Sequence, residues 1–210
     1  LHMPASVATR HIRPGGVAVT LADGTELTGQ LLVAAEGRKS PTRDEAGFKL
    51  AHWNYGHIAL VGAIYHSEPH NGCAYEIFYP DGPFALLPMN PDADAPLPYR
   101  SAFVWSVPEN KAAAYQKLSD RVFLMEMQKS MQEMMGDIAL AAPRMAYPLA
   151  FQRTAKVIGE RLVLLGDAAH GIHPIAGQGL NLGLRDVATL AEVIVDGMRK
   201  GLDPADPALL

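Results

Sequence analysis

The 210-residue sequence contains one cysteine, no cluster of lysine and arginine residues, and no apolar run long enough to cross a membrane. The lone Cys73 excludes an intrachain disulfide and fits a reducing compartment, and we expect its thiol to be buried or half-buried. A net charge of −4 without a basic cluster excludes nucleic acid as the main partner, because phosphate binding needs a positive face. The uncharged stretch over residues 54–67 is shorter than a membrane span and contains His57.

The composition is that of a globular protein. Hydrophobic residues make up 49% of the chain and charged residues 19%, which is enough to bury a core as one or two domains. The first residues, 1–4, have neither a basic region nor an apolar core, so they do not resemble a targeting signal. Because Leu1 stands where an initiator methionine would, we expect a trimmed or proteolysed product.

The segment that begins at Gly166 carries the strongest functional signal. The apolar residues 162–165 predict a buried strand, and Asp167 follows at its mouth, where a carboxylate can accept hydrogen bonds from ligand hydroxyls. Pro174 then stiffens the chain before a predicted helix start. Backbone N–H groups at Gly177, Gln178 and Gly179 are expected to be bare there, which suits an anionic or polarised ligand edge.

A second segment supports the first. Residues 31–35 form a continuous apolar run that predicts another buried strand, and Glu36-Gly37 follows it directly. Arg43 lies a few residues further along, after small and polar side chains. An acidic residue, a glycine and an arginine after a buried strand form a second candidate binding turn.

Together these segments resemble the Gly-Asp and Asp-Gly motifs of the class A flavoprotein monooxygenases, the para-hydroxybenzoate hydroxylase family, and are most similar to its ubiquinone-biosynthesis hydroxylases. The resemblance implies that Asp167 binds the ribityl chain of FAD and that amides near the helix start face the flavin N1 and C2 carbonyl edge. The family usually has aspartate where this sequence has Glu36, whose longer side chain shifts the carboxylate by one methylene. The cofactor-binding residues implied are Glu36, Gly37, Arg43, Asp167, Pro174, Gly177, Gln178, Gly179, Leu180 and Asn181.

One motif of that family is missing. Its members open with a strand, a Gly-x-Gly-x-x-Gly turn and a helix that hold the adenosine diphosphate half of FAD, and no such turn occurs in the 210 residues. Gly15-Gly16 is followed by the alternating residues 17–21, which predict a strand and not a helix. We therefore expect this chain to be a fragment that binds FAD weakly and is inactive in isolation.

The resemblance also implies a reaction. The complete protein would use NAD(P)H and O₂ to hydroxylate an aromatic compound, with a polyprenylated phenol on the way to ubiquinone as the favoured substrate. It implies a cytoplasmic protein with peripheral contact to the inner membrane. Two alternatives are a hydroxylase of a small soluble phenol and a non-catalytic fragment that contains the substrate domain. The residues do not indicate an oligomeric state.

The predicted fold class is mixed α/β (α+β), with part of a Rossmann-like FAD domain and an antiparallel-sheet substrate domain. We expect residues 1–50 and 151–210 to belong to the FAD domain and residues 51–150 to the substrate domain. A turn at 22–25 predicts a β-hairpin before residues 31–35. Further strands are predicted at 57–66, 73–79, 84–89, 99–107 and 146–156.

Three helices are predicted, at residues 109–118, 121–135 and 177–200. The second carries an apolar stripe that could line a channel for a prenyl chain, although a core-facing stripe is the favoured interpretation. The stripe comprises Phe123, Met127, Met131, Met134 and Ile138. The third helix is expected to bury one face, formed by Leu180, Leu184, Val187, Ala191, Ile194 and Met198.

Several polar residues are assigned no catalytic role. His170 and His173 lack further ligands at metal-binding spacing, so no metal site is predicted. Asp186 is expected to be a surface or packing residue of the last helix. Ser40 has no Gly-x-Ser-x-Gly elbow around it, which disfavours a hydrolase. We predict no catalytic acid or base, because the flavin would carry the chemistry.

Overall fold

The computed structural model describes residues 1–210, which form thirteen strands and four α-helices. The strands are β1 (Val7–Arg13), β2 (Gly16–Leu21), β3 (Glu26–Gly29), β4 (Leu32–Ala34), β5 (Leu50–His66), β6 (Tyr75–Tyr79), β7 (Gly82–Met89), β8 (Tyr99–Pro108), β9 (Ile138–Leu140), β10 (Met145–Thr154), β11 (Ile158–Gly159), β12 (Leu162–Leu164) and β13 (His170–Gly171). The helices are α1 (Pro41–Glu45), α2 (Glu109–Lys117), α3 (Asp120–Met131) and α4 (Gln178–Arg199).

The chain divides into two compact units. Unit 1 comprises Leu1–Trp53 and Phe151–Leu210, and unit 2 comprises Asn54–Ala150. Strands β5 and β10 carry the chain from one unit to the other. The predicted fold class is confirmed, since helices combine with antiparallel sheets and one short parallel pairing.

Unit 1 begins with an antiparallel meander of β1, β2 and β3. The predicted turn between β2 and β3 is present, and Asp23 closes it by accepting a hydrogen bond from the Thr25 N–H (2.9 Å). A second small sheet has the order β11-β12-β4, in which β12 and β4 run parallel. Its core consists of Ala34, Phe48, Leu162, Leu164 and Ala169.

The two strands predicted to be buried in unit 1 differ. Strand β12 is buried at all three residues, as predicted. Strand β4 is shorter than the predicted 31–35 and only partly buried, because it lies at the edge of its sheet and Val33 is 41% exposed. The apolar run therefore marks a strand correctly but does not show that both of its faces are covered.

Unit 2 is built on an antiparallel sheet in which β5, β8, β7 and β6 are consecutive neighbours, and β9 also pairs with β5. The four predicted strands of this region are all present, with β5 extending seven residues further toward the N-terminus than predicted. Helix α3 packs on the sheet, and the ring of Phe123 lies 5.7 Å from that of Trp105 and 5.9 Å from that of Phe103.

The core interpretation of the apolar stripe on α3 is confirmed for three of its five residues. Phe123, Met127 and Met131 are fully buried in the core of unit 2. The prediction was wrong for the end of the stripe, because the backbone turns left-handed at Gln132 and the helix stops at Met131. Met134 is consequently 38% exposed, and Met135 takes the buried position instead. Ile138 belongs to β9 and packs against this core from there.

The predicted burial of α4 is wrong. Its apolar face is exposed, with Leu180 at 73%, because the helix packs on the rest of unit 1 through a different face that includes Gly183, Asp186 and Gly197. The residues left exposed on the predicted face are Leu180, Leu184, Val187, Ala191 and Met198, while Ile194 is half-buried.

Two further features bear on the expectations from composition. Cys73 is exposed, so the expectation of a buried or half-buried thiol is wrong. It lies in the turn-rich segment before β6, where no core covers it.

None of the helices combines the length and apolar composition needed to cross a bilayer.

Candidate functional site

The site is built around the turn that follows β12. Gly166–Ala168 forms a single 3-10 turn, and Gly166 has a φ of +55°, a conformation that favours glycine. Helix α4 passes very close to this turn, since a Cβ added to Gly183 would lie 3.5 Å from the Gly166 Cα. Two glycines therefore allow the helix and the turn to touch through their backbones.

The Asp167 carboxylate lies at the surface of this turn, with its side chain 44% exposed. The Nε of Arg38 donates a hydrogen bond to its Oδ2 at 3.2 Å. The same guanidinium also donates from Nη2 to the carbonyl of Ile172 (3.0 Å) and packs against Gly171. Arg38 thus joins the two predicted motifs and holds the carboxylate while part of it stays open to solvent.

Strand β10 supports the turn from beneath. The Nε2 of Gln152, a buried side chain, donates to the carbonyl oxygens of Asp167 (2.8 Å) and Arg38 (3.2 Å). Two residues further along, the Thr154 hydroxyl donates to the carbonyl of Ala169 (3.1 Å). These bonds fix the backbone at Asp167 and two residues after it, and so help to orient the Asp167 side chain.

Asp186 ties α4 to the same turn. Its Oδ2 accepts hydrogen bonds from the N–H of Gly166 (2.9 Å) and from Nε2 of His170 (2.8 Å). Asp186 is therefore a packing residue, as predicted. Its partners are the Gly166 N–H and the His170 imidazole, which lie on either side of Asp167 in the sequence. His170 contributes to the site through this carboxylate.

The start of α4 offers backbone donors. No side chain caps the helix, and the two preceding residues are left-handed, with φ of +52° at Ala176 and +62° at Gly177. The expectation of bare amides at Gly177 and Gln178 is wrong, because the tight turn bonds them to the carbonyls of Pro174 (3.1 Å) and Ile175. The donors that remain for a ligand begin one residue later, in the first turn of the helix.

Space for a ligand is present at that point. A Cβ built on Gly177 or Gly179 meets no atom within 4 Å, so both glycines border open space. Pro174 precedes the left-handed pair, and Leu180 and Asn181 are exposed. An uncapped helix N-terminus carries partial positive charge, so this open space suits a negatively charged or polarised ligand edge.

The Glu36 carboxylate forms hydrogen bonds with neighbouring groups of the protein. It accepts hydrogen bonds from the Ser40 hydroxyl (2.6 Å), the Thr42 N–H (3.1 Å) and hydroxyl (2.8 Å), and Arg10 (2.9 Å). Burial raises the pKa of Glu36, but these hydrogen bonds and the charge of Arg10 outweigh it and hold the pKa below its usual value. Glu36 therefore organises the start of α1, next to Gly37 with its φ of +78°.

Arg43 is buried, although the resemblance assigned it to the cofactor. Its Nη1 donates to the carbonyl of Arg38 (2.9 Å) and approaches that of Ala168 (3.5 Å), while its Nε pairs with Asp44 (2.8 Å). The guanidinium therefore links the two motifs from inside the protein.

The structure brings the two predicted motifs together. It also adds three residues that the sequence analysis did not assign to the site, namely Arg38, Gln152 and Asp186. Arg38 stood inside the recognised motif and could have been proposed from its charge. Gln152 and Asp186 gave no signal, because their role depends on which backbone groups the fold places beside them.

Comparison with known proteins identifies the family. Residues 12–204 match the family model described as FAD binding domain. The chain is 42% identical over 195 residues to a ubiquinone hydroxylase, UbiL, from Rhodospirillum rubrum, covering 93% of this chain and 44% of that protein. It is 30% identical over 221 residues to the mitochondrial ubiquinone biosynthesis monooxygenase COQ6 of Xenopus tropicalis, covering 89% and 46%.

A solved structure shows the same fold. The flavin-dependent halogenase CmlS superposes with a TM-score of 0.76 at 19% identity, covering 98% of this chain and 38% of that one. The chain spans less than half the length of these curated relatives. Since the family model covers nearly the whole sequence, the chain belongs to the FAD-binding domain family.

Proposed function

We propose that this chain carries the flavin-facing part of an FAD-dependent hydroxylase that uses NAD(P)H and O₂ to hydroxylate a polyprenylated phenol in ubiquinone biosynthesis. The observation that carries the proposal is the exposed Asp167 carboxylate on a turn that contacts α4, whose N-terminus is uncapped. Membership of the FAD-binding domain family and similarity to ubiquinone hydroxylases support it.

The residues present fit FAD. Ribityl hydroxyls need acceptors, and Asp167 offers a carboxylate that bonds to Arg38 while its side chain stays 44% exposed. The isoalloxazine edge needs donors, and the uncapped first turn of α4 supplies backbone amides from Gly179 onward, where Gly179 borders open space. A flavin that gains electrons becomes negative along that edge, and the positive end of a long helix stabilises such charge.

In this proposal FAD supplies the electron transfer and oxygen activation, and the chain supplies positioning. Asp167 orients the ribityl chain, while Gln152 and Asp186 fix the turn that carries it. Pro174 and the left-handed Ala176 would restrict the backbone that leads into the helix start where the flavin edge would bind. No side chain of this chain is proposed as a catalytic acid or base.

Unit 2 is proposed to contribute the substrate side. Its antiparallel sheet provides a broad rigid surface, and the stripe residues Met127 and Met131 of α3 are buried in the core, so they do not form a prenyl channel. Recognition of a prenyl chain is therefore assigned to surfaces other than the α3 stripe. We infer a cytoplasmic location with peripheral membrane contact, because a polyprenylated phenol partitions into the bilayer.

The substrate is tested with the full-length gene product. We expect NAD(P)H oxidation coupled to ring hydroxylation with a polyprenylated phenol, and at least tenfold lower kcat/KM with the same phenol lacking its prenyl chain. Equal or higher kcat/KM with the unprenylated phenol would contradict the proposed substrate and favour a small soluble phenol. Product analysis by mass spectrometry distinguishes hydroxylation from uncoupled NAD(P)H oxidation.

The flavin loop is tested separately by Gly179→Val. A β-branched side chain would fill the space beside the helix start, so flavin binding and NAD(P)H oxidation should both fall. Ala188→Val, on an exposed turn of the same helix, controls for the introduction of a β-branched side chain into α4. Wild-type flavin kinetics in a folded Gly179→Val protein would remove this loop from the site.

A further inference from the structure

An open groove of about 520 Å³ lies on unit 1, lined by eight residues near the start of β5 and the end of β10. They are Lys49, Leu50, Ala51, Trp53, Phe151, Arg153, Thr154 and Ala155. A groove of this size is in the range that holds a small ligand.

The groove contains a stacked pair of aromatic rings. Trp53 lies on Phe151 with ring centroids 4.0 Å apart and planes inclined by 17°. The indole is nevertheless 52% exposed. One face of the indole is therefore covered by Phe151, and the other is free to stack against a further planar ring.

The aromatic and cationic side chains that β10 contributes to the groove lie on the face of the strand opposite the Gly-Asp turn. Successive side chains of a strand point to opposite faces. Gln152 and Thr154 are buried and bond to the turn, whereas Phe151 and Arg153 alternate with them and are half-buried or exposed. Phe151 and Arg153, which carry the aromatic and cationic character of the groove, thus point away from the face of Gln152, while Thr154 near the end of the strand contacts both the groove and the turn.

The charged side chains that line the groove are both positive. Lys49 and Arg153 are exposed, neither side chain forms an ion pair, and no lining residue is acidic. A hydrogen bond from the Ala155 N–H to the Lys49 carbonyl (2.9 Å) fixes the backbone between the strands. Two cations beside an exposed indole face complement a ring that carries an anionic substituent.

We propose that this groove is a second binding site on unit 1, for a planar aromatic ring that bears a phosphate or carboxylate group. The ring stacks on the free face of Trp53, and the anionic group pairs with Arg153 and Lys49. The site is independent of the proposed function and does not require FAD. A nucleotide and an aromatic acid share this chemistry, and the test separates them.

The test is calorimetric titration of the 210-residue chain with two probes, adenosine 5′-monophosphate and 4-hydroxybenzoate. Adenosine and inorganic phosphate each lack one of the two features. We expect at least one of the two probes to bind tenfold or more tightly than adenosine and inorganic phosphate do. The probe that binds shows whether the ligand is a nucleotide or an aromatic acid. If neither probe does so, the proposal is wrong.

Variants then locate the binding. Trp53→Ser and Arg153→Gln should each weaken the bound probe at least tenfold, and Trp53→Phe should retain most of the affinity because it keeps a ring. Matched controls are Phe78→Ser, an exposed aromatic residue, and Arg121→Gln, an exposed cation, both in unit 2. They should leave the affinity unchanged. If Trp53→Ser does not fold, Arg153→Gln alone decides the result.

A last comparison separates the groove from the flavin site. In the full-length gene product, saturating FAD and the variant Asp167→Ala should leave probe affinity unchanged, since both act at the Gly-Asp turn. Competition by FAD, or loss of binding in Asp167→Ala, would mean that the probe occupies the flavin site, and the groove proposal would be overturned while the proposed function stands.

Discussion

Helices α3 and α4 have the same signature in the sequence and opposite environments in the structure. Each carries apolar side chains at helical spacing along one face. On α3 these residues are fully buried against a sheet that supplies aromatic partners. On α4 the corresponding face is exposed, and the helix is held instead by glycine contacts and by Asp186. Periodicity thus predicts which residues share a face, but not whether that face is covered.

The difference extends to the two units. Unit 2 has one continuous core of twelve buried residues, which spans the sheet and both of its helices. The core around the β11-β12-β4 sheet in unit 1 has five. Polar bonds among Arg38, Gln152 and Asp186 hold the candidate site in unit 1. Unit 2 therefore derives its order mainly from apolar packing, and the site derives it mainly from hydrogen bonds.

The largest effect is expected from Met131→Ala on α3. Removing a fully buried methionine should lower the free energy of unfolding of unit 2 by about 2–5 kcal/mol. Met134→Ala, at the exposed end of the same stripe, should cost well under ~1 kcal/mol. Fluorescence of the buried Trp105 during urea denaturation, in a Trp53→Phe background, reports on unit 2. A Met131→Ala protein of normal stability but altered prenyl-chain selectivity would restore the channel interpretation.

A smaller effect is expected from Asp186→Ala in unit 1. It leaves the Gly166 N–H and His170 without their acceptor, which should cost about 1–3 kcal/mol. Asp186→Asn keeps a side-chain oxygen and should recover part of that loss. Asp196→Ala, an exposed position on the same helix, is the matched control. Equal stability of Asp186→Ala and Asp196→Ala in thermal unfolding would show that the turn does not depend on this contact.

His66 makes unit 2 sensitive to acid. It is fully buried; its Nδ1 contacts the Glu68 carbonyl (2.7 Å) and its Nε2 the Ser101 hydroxyl (2.9 Å). Burial lowers the pKa of His66 and nearby His70 lowers it further, against the opposing effect of the Glu68 carbonyl.

The unfolded chain therefore binds a proton at a higher pH than the native protein does. The stabilisation is complete above the ordinary histidine pKa of about 6.5 and is lost as the pH falls toward the lowered value. His66→Gln should flatten this pH dependence of unfolding, and the exposed-site control His52→Gln should not. An unchanged pH profile in His66→Gln would assign the acid sensitivity to other groups.

The smallest effect is expected from Leu184→Gln on the exposed face of α4. Surface substitutions away from special contacts change stability by about 0.5 kcal/mol or less. The thermal midpoint of the 210-residue chain should therefore be nearly unchanged. A loss as large as that of Met131→Ala would show that the α4 face is covered in solution, and the contrast between the two helices would fail.

Much of the fold followed from the sequence, because turns and apolar periods are local properties. The strands β5 to β8 of unit 2, the turn at Asp23 and the start of α3 to within one residue were all predicted, whereas the short strand β9 was not. The end of α3 was not, since two consecutive non-glycine residues, Gln132 and Glu133, adopt left-handed conformations that no local rule favours.

The candidate site was predictable in its motifs and not in its internal bonds. The sequence placed Asp167 and Glu36 correctly after strands, yet both Glu36 and Arg43 bond to the protein around them. Which carbonyl or hydroxyl group lies beside a given side chain depends on the packing of distant segments. Gln152, for example, reaches back 114 residues to the Arg38 carbonyl.

The central claim is that Asp167 binds FAD, and the most direct test is the FAD dissociation constant of the full-length gene product carrying Asp167→Ala. A hydrogen bond to a charged group contributes about 1.5–3 kcal/mol, so affinity should fall roughly ten- to hundredfold. Its pairing with Arg38 is partly exposed to solvent, which screens the interaction, so the thermal midpoint of the apoprotein should change little. Asp94→Ala, in an exposed loop, should bind FAD like the wild type. Wild-type FAD affinity in a folded Asp167→Ala protein would contradict the account.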